Sequence, residues 1–368
     1  MVIRTLTCHD VYNYGASLQA FALQKYLNLL GHDTSIIDYK PSYLNIRYRL
    51  NWFVNPNSPH FNKCKKNILY RVLYITKRYL SDFGSISRKK VFHEFKKKYL
   101  ITTKRYDNYI QLCQDPPIGD VYIVGSDQVW NNKPLLNGWD AAFFLQFGHN
   151  SVKRLSYAAS FGSTKSCPDI MSRWINSLDA VSIREKTSLN LMQGVTKPVE
   201  VVCDPVFLLN KEEWISTLEL SRNKKDYILI YNLSGDNTIL INHARLLAEA
   251  KGLKLHYIVI DKKLPNAINI NGVGPKEFLE EILNASYVFS DSFHATAFAL
   301  IFNKEFFTYQ FKSEQASQRM IQLLEAVNQE ERYNPETIDY ELSYNKDEIT
   351  NLLERYINES KNWLKKNL

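Results

Sequence analysis

Two hydrophobic rhythms alternate along this chain. Val2 to Thr7 is a short β-prone run, and Cys8 to Gly15 is a polar turn. From Ala16 to Leu30, apolar residues at Leu18, Phe21, Ala22, Tyr26, Leu29 and Leu30 follow helical spacing, and Gly31 predicts a left-handed cap. Thr34 to Tyr39 predicts a second strand, stopped at Pro41. Strand, helix and strand with short connections form a βαβ unit, which implies parallel pairing and a right-handed crossover.

Residues 42–110 break the rhythm. They are rich in Tyr, Lys and Arg, with helices predicted at Asn67–Leu80 and Ser87–Tyr99 and an Asn/Pro/Ser loop at 55–59. Strand signals resume at Val121–Val124, Arg154–Ala158 and Ala180–Ile183, with a helix near Pro168–Leu178. After Asp204-Pro205 the alternation starts afresh, with strands at Tyr227–Tyr231, Lys254–Ile260, Tyr287–Ser290 and Phe306–Tyr309. Helices at Thr238–Lys251, Pro275–Asn284, His294–Phe302 and Gln315–Val327 separate and follow them. This pattern predicts an α/β fold of two Rossmann-like, doubly wound parallel-sheet domains. The first spans residues 1–203 and carries a basic helical insertion at about 42–110. The second spans 204–335, and the amphipathic helix Ile349–Leu364 within 336–368 packs back. Two such domains enclose a cleft, and open sheets bind ligands beyond the carboxyl ends of their strands.

Composition narrows the class. A chain of 368 residues exceeds one ordinary core, and 45% hydrophobic with 23% charged residues is globular. The first residues run straight into a strand, His9 and Asp10 interrupt any apolar stretch, and no run approaches the roughly 18 residues that span a bilayer. Five scattered cysteines with no C-x-x-C argue against a disulfide framework or zinc site. The expectation is a cytoplasmic protein without metal or cofactor. The formal charge is +8, yet residues 63–105 hold 14 Lys or Arg against Asp82 and Glu94, and the remainder is slightly acidic. Such a segment suits a polyanionic partner, nucleic acid or an anionic membrane surface, or is a helix pair kept soluble by its lysines.

Candidate chemistry collects where strands end. Asn13-Tyr14-Gly15 sits where the first strand gives way to a helix, a place that holds an anion or sugar hydroxyls, or is a tight turn needing Gly15 for its backbone angles. Ser126-Asp127-Gln128 with Trp130 follows an apolar strand. Asp127 can take a proton or bind hydroxyls and Trp130 can stack on a pyranose, unless Ser126 or Asp127 serves as a cap. In Ser290-Asp291-Ser292-Phe293-His294, Asp291 or Ser292 is a candidate N-cap, and His294 falls in the first turn, placed to bind phosphate or donate a proton. Arg184 also follows a strand. Guanidinium groups grip carboxylates and phosphates bidentately, although Arg184 beside Glu185 equally fits a surface ion pair. Arg319, out of phase with Leu323 and Leu324, reads alone as solvated.

Taken in order, these segments resemble the polysaccharide pyruvyl transferase family. The carrying residues are Asn13-Tyr14-Gly15 with Leu18-Gln19-Ala20 and Ala22-Leu23-Gln24, Gly31-His32-Asp33, Ile37-Asp38-Tyr39 and Gly125 through Asn131. Ser156 through Gly162, Ile183-Arg184-Glu185, Asp204-Pro205 and Asp291-Ser292-Phe293-His294 through Ala297-Phe298 complete the set. The resemblance spans about residues 1–330 without the insertion. It implies a GT-B-like fold and transfer of pyruvyl from phosphoenolpyruvate to sugar hydroxyls of a surface-polysaccharide precursor, forming a ketal and releasing phosphate. It further implies that Arg184 grips the donor and His294 contacts it or serves as acid. Many relatives carry Arg-Leu-His where this chain has Ser292-Phe293-His294, and Arg319 is assigned the missing charge by position. On this reading His294 and Asp127 are catalytic, and Arg184, Ser292, Phe293 and Arg319 bind the donor. Asn13, Tyr14, Gly15, Ser126, Gln128 and Trp130 line the acceptor. The acceptor is free or lipid-linked, residues 63–105 touch an anionic membrane at the inner face, and nucleic acid is not a partner. The alternatives are a GT-B glycosyltransferase using a nucleotide sugar and a non-catalytic glycan- or nucleic-acid-binding protein.

Overall fold

The computed structural model describes residues 1–41, 44, 60–83, 86–131, 139–223, 226–260, 262–311, 314–339 and 345–368. The loop expected at 55–59 lies outside them. The first half runs β1 (Val2–Leu6), α1 (Tyr14–Leu29), β2 (Asp33–Tyr39), α2 (Phe61–Lys66), α3 (Ile68–Phe83), α4 (Ile86–Tyr99) and β3 (Thr102–Tyr106). It continues through α5 (Tyr109–Gln114), β4 (Val121–Val124), β5 (Lys153–Ala159), α6 (Asp169–Asn176), β6 (Ala180–Ile183) and β7 (Val199–Val201). The second half comprises α7 (Lys211–Leu218), β8 (Tyr227–Tyr231), α8 (Thr238–Lys251), β9 (Lys254–Ile258), β10 (Ile268–Ile270) and α9 (Pro275–Asn284). It closes with β11 (Tyr287–Ser290), α10 (Phe293–Ile301), β12 (Glu305–Thr308), α11 (Glu314–Glu325) and α12 (Lys346–Asn367).

Among the described residues the strands form a seven-stranded sheet, β3-β2-β1-β4-β5-β6-β7, and a five-stranded sheet, β10-β9-β8-β11-β12. Neighbouring strands pair parallel throughout, so the fold is two Rossmann-like halves of GT-B-like arrangement. Each order reverses at an inner pair, β1/β4 in one sheet and β8/β11 in the other. Inner strands such as β4 and β8 are buried along their whole length, which is why they read as unbroken apolar runs.

Residues 42–110 are not all insertion. Thr102–Tyr106 joins the sheet edge beside β2, so α2 to α4 are an enlarged β2–β3 crossover. The run TTKRY predicts no strand, because an edge strand with exposed polar residues carries little apolar signal.

An apolar joint holds the halves together. The Tyr14 ring stacks on Phe278 at 4.3 Å and 5°, meets Tyr231 edge-on, and its hydroxyl donates to the Val273 carbonyl at 3.0 Å. Burial pushes the Tyr14 phenol up to about 12, so it is a neutral donor at every working pH. One apolar cluster runs unbroken from α1 into α9 and α10. Helix α12 returns to the first half: its Ser360 Oγ accepts from the Cys203 N–H at 2.8 Å, and Trp363 and Tyr356 lie against Tyr157 and Phe207.

Tyr14→Phe removes one hydrogen bond and is expected to cost about 1 kcal/mol. Tyr14→Ala empties the joint and is expected to cost about 4 kcal/mol. Urea unfolding checks both. Equal losses would remove the stacked ring from this account.

Candidate active site

Loops leaving the carboxyl ends of β4, β6, β7 and β11 converge with the start of α1, and each brings one polar side chain. The centre is Asp204, fully buried after β7. Its Oδ2 accepts from Arg184 Nη1 at 2.8 Å and from Ser126 Oγ at 3.2 Å, and lies 3.6 Å from His294 Nε2 across the domain boundary. The last distance is an ion-pair contact slightly longer than a hydrogen bond. Burial alone would raise the Asp204 carboxyl, but His294 and then Arg184 outweigh it and hold the group well below the usual carboxylate range. Asp204 is therefore a permanent anion. Its Oδ1 caps the following turn by accepting from Val206 N at 3.1 Å.

Arg184 is enclosed, with 2% of its side chain exposed. Besides Asp204 it donates to Ser126 Oγ (3.1 Å) and to Glu185 Oε1 (3.4 Å). Burial opposes its charge, but Glu185 and Asp204 reverse that and raise it above its ordinary value. Glu185 Oε1 also accepts from Ser160 Oγ at 2.6 Å and lies 3.6 Å from Arg319 Nε, while its buried Oε2 has no hydrogen-bond partner. Arg319 is 14% exposed at the cleft. Burial, then repulsion from Arg184, pushes it down to about 10, a strain that an anion beside it would relieve. The Phe293 ring separates the two guanidiniums, 5.9 Å from Arg184 and 5.7 Å from Arg319.

Two helix N-termini also meet here. His294 occupies the first turn of α10, and its imidazole lies against the bare Cα of Gly15 in the first turn of α1. A Cβ at Gly15 would stand 2.0 Å from His294 Nδ1. Neither helix has an acidic residue in its first turn, so both positive ends stay uncompensated by their own sequence. Gly15 is helical with negative φ; close approach, not backbone angle, demands it.

Among the expected site residues, His294, Arg184, Arg319, Phe293, Ser126 and Gly15 form this one cluster. Asp127 and Gln128 remain half-exposed at its rim. Asp127 takes a positive φ of 77°, held by N–H groups of Val129 and Ser160 donating to its carbonyl. Several expectations need correction. Trp130 is fully buried, stacked on Phe144 with its indole N–H donating to the Phe143 carbonyl, and presents no face to a sugar. Tyr14 belongs to the domain joint. Asn13 is exposed, but its side chain caps α1 by accepting from Ala16 N at 3.1 Å. Ser126 and Arg184 face protein carboxylates within the cluster, Asp204 above all. Ser292 is the N-cap of α10, buried and without a side-chain capping bond. Arg184 and Glu185 are a buried pair, not a surface one. The sequence assigned Asp204 no role of its own, since Arg184, Ser126 and His294 all lie far from it along the chain, and it linked Glu185 only to its neighbour Arg184, the distant contacts with Ser160 and Arg319 carrying no local signal.

Asp291, the other N-cap candidate, accepts from the Leu233 and Ser234 N–H groups at 2.6 and 2.9 Å. It thus fills the loop after β8 with a protein carboxylate. A surface hollow of about 660 Å³ between Arg245 and Ile268 lies at the far edge of the second sheet, away from this chemistry.

This geometry defines a two-domain α/β protein whose interdomain cleft carries a buried Arg–Asp–His arrangement and a second, half-buried arginine. The chain belongs to the polysaccharide pyruvyl transferase family, whose model matches residues 13–310, and it is accordingly a transferase acting in pyruvyl transfer to polysaccharide. No curated protein matches it. Similar solved structures include the UDP-GlcNAc 2-epimerase of Methanocaldococcus jannaschii, at 14% identity and TM-score 0.44, covering 97% of this chain and 93% of that one. The UDP-GlcNAc 2-epimerase of Neisseria meningitidis bound to UDP-GlcNAc shows 12% identity and TM-score 0.45, with 98% and 94% covered. Likeness at that level bears on no substrate, and the fold statement rests on the two sheets themselves.

Because Asp204 is depressed in the folded state, its stabilising contribution is present above about pH 4 and is lost as pH falls below that. Asp204→Asn is expected to lose about 3 kcal/mol at pH 7 by leaving Arg184 underpaired, and to lose less further stability than the parent between pH 5 and 2. Parallel acid-unfolding curves would contradict this. Gly15→Ala is expected to destabilise by about 1–3 kcal/mol, because a Cβ overlapping the His294 ring forces it off Asp204 and outweighs the helix preference of alanine. The His294 imidazole resonances followed by NMR check the displacement.

Proposed function

We propose that the cluster binds phosphoenolpyruvate and transfers its pyruvyl group to two hydroxyls of a sugar in a cell-surface polysaccharide precursor, forming a ketal. The observation that carries this reading is Asp204 Oδ2 shared by Arg184 and His294 from opposite halves of the cleft. His294, in the first turn of α10 and 3.6 Å from that carboxylate, is the histidine placed to act as general acid. Arg319 and the ends of α1 and α10 supply cationic character for the donor's carboxylate and phosphate.

His294 gives a proton to the donor's methylene carbon, and positive charge develops at the adjacent carbon. A sugar hydroxyl adds there, phosphate leaves, and the second hydroxyl closes the ketal. Of the two hydroxyl protons, one balances the new methyl group and the other departs with phosphate. Asp127 at the rim accepts a hydroxyl proton. Arg184 acts through Asp204 and Glu185 as a positioning residue. No resident metal or cofactor has a part in this scheme.

A nucleotide sugar is the rival donor. Its diphosphate would take the N–H groups of a strand-to-helix loop in the second half, and after β8 those groups face Asp291. A carboxylate there repels phosphate, which favours the smaller donor.

His294→Ala is expected to lower kcat for phosphate release from phosphoenolpyruvate by 10²–10⁴-fold with KM little changed. Arg319→Ala is expected to raise KM at least tenfold. Steady-state kinetics with a galactose- or mannose-type acceptor, and mass measurement of the product, test both. Unchanged kcat in His294→Ala would remove the acid from this scheme, and a thermal shift given by UDP-sugars but not by phosphoenolpyruvate would transfer the site to the rival.

A further inference from the structure

Helix α3 carries an aliphatic stripe that no described residue covers. Ile68, Leu69, Val72 and Leu73 are between 42 and 71% exposed, and their i, i+1, i+4, i+5 spacing places them on one side of the helix. The opposite side is half-buried: Tyr70 and Tyr74 lean on His60, whose Nδ1 is 2.8 Å from the Tyr70 hydroxyl. The stripe is therefore the side of α3 turned away from its contact with α2. Immediately before it, α2 exposes Lys63, Lys65 and Lys66 and buries only Cys64.

We infer that α2 and α3 form a membrane-surface anchor, with the aliphatic stripe entering the headgroup–acyl boundary of an anionic bilayer and the α2 lysines on its phosphates. Four large aliphatic side chains call for an apolar cover and the neighbouring lysines call for anions. A lipid surface with negative headgroups supplies both in one plane. A second copy meeting this face about a two-fold axis would set Lys63, Lys65 and Lys66 against themselves, since such a contact is self-complementary. Nucleic acid would satisfy the lysines and leave the stripe in water. Among the described residues no helix is long and apolar enough to cross a membrane, so the contact is interfacial.

The anchor is not the lysine run at 96–98. Lys96 Nζ lies 3.1 Å from Asp38 and 3.6 Å from Asp10, and Lys98 lies 4.0 Å from Glu219 and over the Tyr99 ring. Helix α4 faces inward instead: Arg88 lies over the Tyr14 ring and donates to the Tyr12 carbonyl. The basic segment thus divides into α4, which packs on the catalytic halves, and α2–α3, which faces out.

Co-sedimentation of the full chain with vesicles of phosphatidylcholine and phosphatidylglycerol (3:1) tests this at low and high salt. Binding at least tenfold stronger than to pure phosphatidylcholine, and weakened by salt, is expected. Leu69→Asp/Leu73→Asp and, separately, Lys63→Glu/Lys65→Glu/Lys66→Glu are each expected to lose at least tenfold. Hydrogen exchange on the unaltered chain guards against misfolded variants, with vesicles expected to protect the amides of α3 and not those of α8. Absent binding, equal binding to neutral vesicles, retention by the aspartate variant, or unprotected α3 amides would overturn the inference. So would sedimentation velocity showing a dimer that the aspartate variant splits. None of these readouts involves turnover, so their failure leaves the donor assignment standing.

Discussion

The Asp204 carboxylate shared between Arg184 and His294 is the interaction on which the cleft depends. Burying one anion alone would be prohibitive, and burying Arg184 alone would be equally so. Together, with Ser126 and Glu185 satisfying the remaining directions, they form a polar knot inside an otherwise apolar wall. His294 reaches that knot from the other half of the molecule. The knot is therefore complete only when the halves are docked, which makes the site a property of tertiary assembly.

Docking is in turn secured by apolar contact. Tyr14 stacked on Phe278 and a core cluster continuous from α1 into α10 leave the two sheets little freedom to separate. The same stretch of chain performs both tasks. Tyr14 makes the joint, and Gly15, one residue on, leaves the space in which His294 lies. The motif thus sets both the domain joint and the position of His294.

The cleft has an uneven charge design. Arg184 is neutralised by protein carboxylates, whereas Arg319 is only loosely matched and sits close to a like charge. An arginine so placed gains from an anionic ligand, and two helix N-termini free of acidic residues point the same way. In the second half, Asp291 occupies loop N–H groups with an internal carboxylate. Among the described residues of the cleft, these cationic features gather around His294.

The two-half α/β architecture could be read from the sequence, because inner parallel strands are continuously apolar and their helices periodically so. That His294, Arg184 and Gly125–Gln128 lie at strand ends was also readable, since strand-to-helix junctions are local features. The strand Thr102–Tyr106 was not, because its edge position leaves its side chains polar. Pairing across distance was equally hidden: Asp204 with His294, Glu185 with Arg319, and Gly15 beneath the imidazole of His294, which lies in the other half of the chain. Trp130 shows the converse, a residue whose type suggested sugar stacking until packing against Phe144 placed it in the core. Local periodicity determines which elements form and where loops fall. Which side chains share a low-dielectric site is decided by how separate sheets dock, and no spacing along one chain records that.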